Sequence, residues 1–299
     1  DYEDQLLGVN LAPNIGQTGM GISGQMSTHT GYFIAEGIPI TPYTDSQPST
    51  RQPYQLAHLV ARDETTGAIL AETTAVAPVS DEMHCDNCHS DGLIEDIATG
   101  DFRRNILVLH DREEQTNLDA SRPVLCADCH ADPALGLPGD PDAPNFSRAI
   151  HKRHAEQTQD CYQCHPGVET ACLRDVMSSQ GMWCTSCHGD MLAVADENRK
   201  PWLDEPRCES CHGVQYGENP STLYRHSTGH GGLYCEACHN STHAIVPSQQ
   251  PRDNWQNMAI QGYADTLREC TTCHASVPAT GSPHNNGFPP RPVADLAIT

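Results

Sequence analysis

The chain has 299 residues, 39 of them Asp or Glu against 17 Lys or Arg, for a formal net charge of −22. No basic cluster exists, so sequence-independent nucleic-acid binding is excluded, and no apolar run approaches the ~18 residues that a membrane span needs. With 37% hydrophobic residues, four Phe and three Trp beside 22 Pro and 23 Gly, the side chains are poorly equipped for a conventional core, and composition alone drifts toward disorder.

In chain order, Asp1-Tyr2-Glu3 opens without a charged-then-apolar leader and without a nearby cysteine to carry lipid, as expected of an exported, mature chain. Residues 1–80 contain no cysteine. Within them Gly31 to Ile40, closed by Pro39 and Pro42, reads as a strand. Tyr54 to Arg62 and Ala68 to Ala77 read as a hairpin about Asp63-Glu64-Thr65-Thr66-Gly67. A small β subdomain or embracing arm is expected, packed on its own molecule or on a neighbour. Ser147 to Gln157 is the best helix candidate, following the Asn145-Phe146 break. Residues 285–299, with Pro289, Pro290 and Pro292, read as an extended tail.

Between arm and tail, the chain spells Cys-x-x-Cys-His seven times. The first three motifs are Cys85, Cys88 and His89; Cys126, Cys129 and His130; and Cys161, Cys164 and His165. The other four are Cys184, Cys187 and His188; Cys208, Cys211 and His212; Cys235, Cys238 and His239; and Cys270, Cys273 and His274. This pentapeptide is what covalent c-type haem attachment requires. Two thiols three apart add across the haem vinyl groups, and the following His lies beneath the ring as proximal iron ligand. Zinc and redox cysteine pairs also use Cys-x-x-Cys, but neither asks for His at the next position. His is 17 of the 299 residues, so seven chance matches have a probability of roughly one in a few hundred million. Seven haem c groups are therefore expected, and they supply the core that the side chains do not, as metal does for small zinc domains. The first cysteines are 41, 35, 23, 24, 27 and 35 residues apart, too uneven for a solenoid of equal repeats. The expected fold is a multihaem cytochrome c: mostly irregular coil with short helices wrapped around a stacked haem chain, plus the N-terminal β subdomain. The expected organisation is a haem-free arm over 1–80, a heptahaem domain over 81–284 and the tail. Only Lys152 and Lys200 accompany 15 arginines; haem propionates are plausible partners for several of the latter, although solvation is the default for any one. Cys172, outside the motifs, reads as an inert buried thiol by default, with an intermolecular disulfide or a modified thiol as alternatives.

Seven irons leave seven distal positions. Ten other histidines are present, so bis-histidine ligation throughout is arithmetically possible. His110, His151, His154, His230, His243 and His284 are the candidates by placement. His29 is preferred over His226 for the seventh place, with His84 as a further alternative. His58, mid-strand, reads as packed or solvent-facing. A six-coordinate iron has no vacancy for substrate, which leaves electron transfer.

The stretches Cys161-Tyr162-Gln163-Cys164-His165-Pro166, Gly231-Gly232-Leu233-Tyr234-Cys235 to His239, and Pro201-Trp202-Leu203-Asp204-Glu205-Pro206-Arg207-Cys208 resemble secreted multihaem c-type cytochromes. The motif match covers Met83 to His284 and, more loosely, the arm from Gly31. By its traits the chain is most similar to extracellular filament-forming ("nanowire") cytochromes. That resemblance implies no membrane anchor, bis-histidine haems, few regular elements and a histidine donated between subunits, for which His29 on the arm is the candidate. The implied function is an extracellular electron conduit whose partners are copies of itself and extracellular metal or cellular acceptors. The alternatives are a soluble periplasmic or complex-associated carrier, and a multihaem reductase with one open haem. Such reductases often carry Lys in place of one motif His, whereas all seven motifs here end in His. Haem attachment outside the cytoplasm points to an extracellular or cell-surface location, with the periplasm as alternative.

Overall fold

The computed structural model describes residues 10–16, 19–30, 32–94, 96–279 and 283–284; the expected tail lies outside them. The chain forms two compact units. One comprises Asp1–Gln55, Pro78–Phe146 and Asp160–Thr170, the other Leu56–Ala77, Ser147–Gln159 and Ala171–Thr299.

Among the described residues regular sheet is confined to two two-stranded ribbons. In the first, β1 (Ser27–His29) pairs antiparallel with β2 (Tyr32–Ile34), His29 opposite Tyr32. The strand expected over 31–40 is thus three residues long, and residues 35–40 are irregular. The second ribbon is the expected hairpin, β3 (Tyr54–Arg62) and β4 (Ile69–Pro78). Its turn is built by Asp63, whose Oδ1 accepts the Thr65 and Thr66 amides at 3.1 and 2.7 Å and the Thr66 hydroxyl at 2.8 Å. Gly67, at φ +71°, then delivers the chain into β4.

Among the described residues three helices exceed six residues. The longest, α1 (Phe102–Glu114), is absent from the sequence-based expectations. It is capped by Asp101, which accepts the Arg103 amide at 3.0 Å, and ends at Gln115 in left-handed conformation. The expected helix is α2 (Phe146–His154), three residues shorter at its C-terminus than the sequence suggests. The third, α3 (Trp255–Gln261), is stopped by Gly262 at φ +93°. Elsewhere short turns of helix alternate with coil, and the described residues contain no helix long and apolar enough to cross a membrane.

What is buried is unusual. The buried apolar residues are few and half of them are alanines: Ala127, Ala155, Ala195 and Ala244, beside Ile97, Leu109, Tyr224 and Val246. Buried polar residues outnumber them and act as locks. In the first unit Asn105 of α1 donates to the His89 carbonyl (2.8 Å) and to Asp91 (2.9 Å), while its Oδ1 accepts from Thr99. Glu82 accepts the Glu169 and Thr170 amides, both at 2.8 Å. In the second unit Asn257 of α3 donates to the Asp265 carbonyl at 2.8 Å. Arg174 grips Asp253 through two bonds of 2.7 and 3.2 Å, with both side chains buried.

Candidate functional site

Each Cys-x-x-Cys-His motif folds as a single helical turn. The His amide donates to the carbonyl of the first Cys at 2.8 Å in Cys85–His89, Cys161–His165 and Cys270–His274, at 2.9 Å in Cys126–His130 and Cys208–His212, and at 3.0 Å in Cys235–His239. In the same six motifs the amide of the second Cys reaches that carbonyl at 3.2 Å. Cys184–His188 is a five-residue α-helix. Positions i, i+3 and i+4 of a turn share one face, so both thiols and the imidazole are delivered to the same side. Cys88, Cys129, Cys211 and Cys273, each the second cysteine of its motif, are exposed free thiols, open to a haem vinyl group. Cys129 is also anchored by its backbone, because its carbonyl accepts the Asp140 amide at 2.8 Å.

Within five residues of every motif in the chain a large hydrophobic side chain is exposed: Met83, Leu135, Val168, Trp183, Val214, Leu233 and Val277 in motif order, with Val168 at 84% and Val214 at 81%. Burial pushes the thiols of Cys85, Cys126, Cys187, Cys235 and Cys238 above their ordinary value, and Cys208 to about 12 with Glu218 adding to the effect. Among the described residues no group of three or more His, Cys, Asp or Glu is arranged around a bare metal ion. The one-turn presentation of two thiols and an imidazole fits a covalently held haem.

Motifs also neighbour one another. Burial and then the thiols of Cys85 and Cys88 push Cys164 up, and the His84 amide and Asn87 side chain bond Gln163 at 3.2 and 3.0 Å. The first motif therefore lies against the third. In the second unit Cys187 feels Cys211, and Cys238 feels Cys273.

Four motif histidines face a second imidazole. Ring centres are 6.3 Å apart for His110 and His130, 6.1 Å for His188 and His243, 5.9 Å for His239 and His284, and 5.8 Å for His230 and His274. The Nε2 atoms of the last pair are 3.5 Å apart. Two histidine–metal bonds of about 2 Å on opposite sides of one ion put the nitrogens about 4 Å apart and the ring centres about 6 Å apart.

The locks place these rings. His110 lies on α1, its Nδ1 2.9 Å from Thr116 Oγ1, and the Thr116 hydroxyl donates to Asp111 at 2.7 Å. Burial alone would raise Asp111, but bonds from Thr116 and from the Asp119 and Leu118 amides, with the His110 charge, hold it below its ordinary value. Opposite, His130 donates Nδ1–H to the Pro144 carbonyl at 2.7 Å. His243, at φ +66°, is held by the Arg174 amide on its carbonyl (2.9 Å), and its Nδ1 lies 3.8 Å from Cys172 Sγ. Burial pushes the His243 imidazole down. His239 sits with Nδ1 3.4 Å from Thr266 Oγ1; burial, then the charges of His284, Arg268 and His212, push it down to about 4. At neutral pH it is the neutral imidazole that ligation needs. Tyr216 packs edge-on against His284 at 5.3 Å. His230 opens a short turn that continues through Gly231 at φ +64° and Gly232 at φ +82°.

The remaining candidates are placed as follows. His151 and His154 on α2 direct Nδ1–H to the Ser147 and Ile150 carbonyls at 2.7 and 2.8 Å, so that Nε2 carries the lone pair; burial pushes His151 down. His226 ends a short turn begun by buried Tyr224. His84 is tied by its backbone to the third motif. His29 is stacked on Tyr32 at 5.1 Å at the end of β1, and among the described residues no motif histidine stands beside it. His58 lies on the exposed hairpin 3.3 Å from Glu72. Cys172 is a free thiol, pushed up by burial. Among the described residues, no histidine ring stands opposite His212 of the fifth motif. The Nδ1 partners are what sequence reasoning missed; only Asp111 and Thr116, flanking the end of α1, carried a local signal.

Residues 192–240, which include the fifth and sixth motifs, match the family model described as cytochrome c554 and c-prime. No curated protein matches the chain, and no solved structure matches it. The family match and the coil-rich, short-helix architecture support a c-type cytochrome with covalently bound haem iron and a role in electron transfer.

Proposed function

We propose that the chain carries seven haem c groups, one per motif, and conducts electrons as an extracellular polymer of itself. The observation that carries this reading is the four facing imidazole pairs, each joining a motif histidine to a non-motif histidine at the spacing of two axial ligands on one iron. The proximal ligands are His89, His130, His165, His188, His212, His239 and His274. His110, His243, His284 and His230 serve the irons of His130, His188, His239 and His274, while His151 and His154 serve two more. Bound haem supplies reversible one-electron iron chemistry, and the protein's part is to close both axial faces and set neighbouring motifs together. His212 supports the polymer: its iron would take His29 from a second copy, whose arm exposes Leu56, Ile69 and Leu70. Charge of −22 suits a cationic redox partner or metal-ion acceptors.

The same observation at His212 favours a second reading, a reductase open at the fifth haem. Mass spectrometry, electron microscopy and low-temperature EPR of the exported protein separate the two. Seven haems, filaments and an all-low-spin ferric signal are expected, with high-spin signal appearing in His29→Ala. High-spin haem in the native protein, unchanged by His29→Ala, would establish the reductase reading instead, and fewer than seven haems would overturn both.

A further inference from the structure

The pairs differ in what holds the outer nitrogen of each imidazole. On His239 and His243 the Nδ1 partners are distant or soft, a hydroxyl at 3.4 Å and a thiol at 3.8 Å. On the His110–His130 pair both are short. His130 donates to the Pro144 carbonyl at 2.7 Å. His110 meets Thr116 Oγ1 at 2.9 Å, and the one hydroxyl proton of Thr116 is committed to Asp111 Oδ1 at 2.7 Å. An ionised carboxylate only accepts, so the polarity of the chain is fixed: His110 Nδ1–H donates to Thr116, and Thr116 donates to Asp111. The Leu118 and Asp119 amides, at 2.6 and 2.9 Å, hold the two carboxylate oxygens in place.

Resting on the ligation proposed above, we infer that Asp111 and Thr116 are positioning residues that form a carboxylate–hydroxyl relay to His110 and hold down the reduction potential of the second-motif haem. The physical cause is general. Hydrogen bonding at the outer nitrogen fixes the tautomer, raises the basicity of the ligating nitrogen and favours the more highly charged ferric iron. With both axial rings of one haem so held, the effects act on the same iron.

The test is a spectroelectrochemical titration of the haem-loaded protein and of Thr116→Val, Thr116→Ser and Asp111→Asn. Thr116→Val changes no charge. It is expected to move about one seventh of the haem absorbance to higher potential, with haem content and low-spin spectrum unchanged, one haem being one of the seven expected. Thr116→Ser restores the native curve, and Asp111→Asn shifts the same fraction in the same direction. A Thr116→Val curve superimposed on the native one overturns the relay, as does a shift in Asp111→Asn alone, which is a through-space charge effect. His110→Ala isolates the underlying assignment: if the spin state of every haem survives it, His110 is not a ligand and the ligation scheme fails rather than the relay.

Discussion

The hairpin β3–β4 and the motif-bearing stretch from Cys85 to His274 hold themselves by opposite means. The hairpin is local: a nine-residue strand, a turn tied by one aspartate and a ten-residue strand. The motif stretch is held by buried polar locks joining distant segments, such as Arg174 to Asp253 and Asn105 to His89. Both leave large apolar side chains in solvent, but only in the motif stretch does one stand beside every candidate cofactor site. The difference teaches where the missing core is. Exposed apolar side chains accompany every motif along the chain, while half of the buried apolar residues described are alanines.

The largest way to break this contrast is to withhold haem. Expressed without the attachment machinery, the chain keeps its polar locks but loses the apolar plates they surround, and marginal stabilities of about 5–15 kcal/mol do not survive such a loss. Limited proteolysis is expected to cut throughout 81–284 in the haem-free chain and to spare that region in the haem-loaded one. Resistance of the haem-free region would show that the locks suffice.

Next in size is a single lock. Arg174 and Asp253 are 8% and 4% exposed and bonded twice. Breaking a buried pair by removing one partner costs about 3–5 kcal/mol, so Arg174→Ala should lower the stability of the haem-loaded protein by about that much in denaturant titration. The Arg174 backbone amide that holds the His243 carbonyl is retained in this variant, so the fourth-motif haem should stay low-spin. Replacing both partners, as Arg174→Met with Asp253→Leu, should cost much less. Equal losses in the single and double variants would mean the pair is not the lock.

The same contrast governs what the sequence discloses. The hairpin and its turn are legible because Asp63 to Gly67 act on neighbours in the chain. The seven turns are legible because Cys-x-x-Cys-His is itself one turn. Histidine partners depend on which segments meet, and chain spacing does not say. His284 follows the seventh motif yet faces His239 of the sixth, while His230 precedes the sixth and faces His274 of the seventh. The first motif lies against the third, past the second. α1 escapes a motif-led reading although Asp101 caps it and Leu109 points inward, because its apolar residues Ile106 to Leu109 run together rather than at helical spacing.

The smallest expected effect tests the hairpin's independence. A Cβ on Gly67 would meet nothing within 4 Å, so a substitution there strains only the backbone at φ +71°, by about 1–2 kcal/mol. Gly67→Val should speed exchange of the Asp63 amide, which closes the turn on the Ala68 carbonyl at 2.8 Å, and leave the haem spectrum unmoved. Acid should act on the same site. The Thr66 hydroxyl and amide, then the Thr65 amide, hold the Asp63 carboxyl below its ordinary value against slight burial. A depressed folded value means the turn is fully stabilised above the unfolded value, and that stabilisation is lost as pH falls through the folded one. Protection of the Asp63 amide against exchange, relative to its unfolded rate at the same pH, should therefore fall on acidification in the native chain and change less in Asp63→Asn. If Gly67→Val instead altered the haem spectrum, the hairpin would be part of a haem's surroundings, and the division between a self-supporting ribbon and a cofactor-supported remainder would fail.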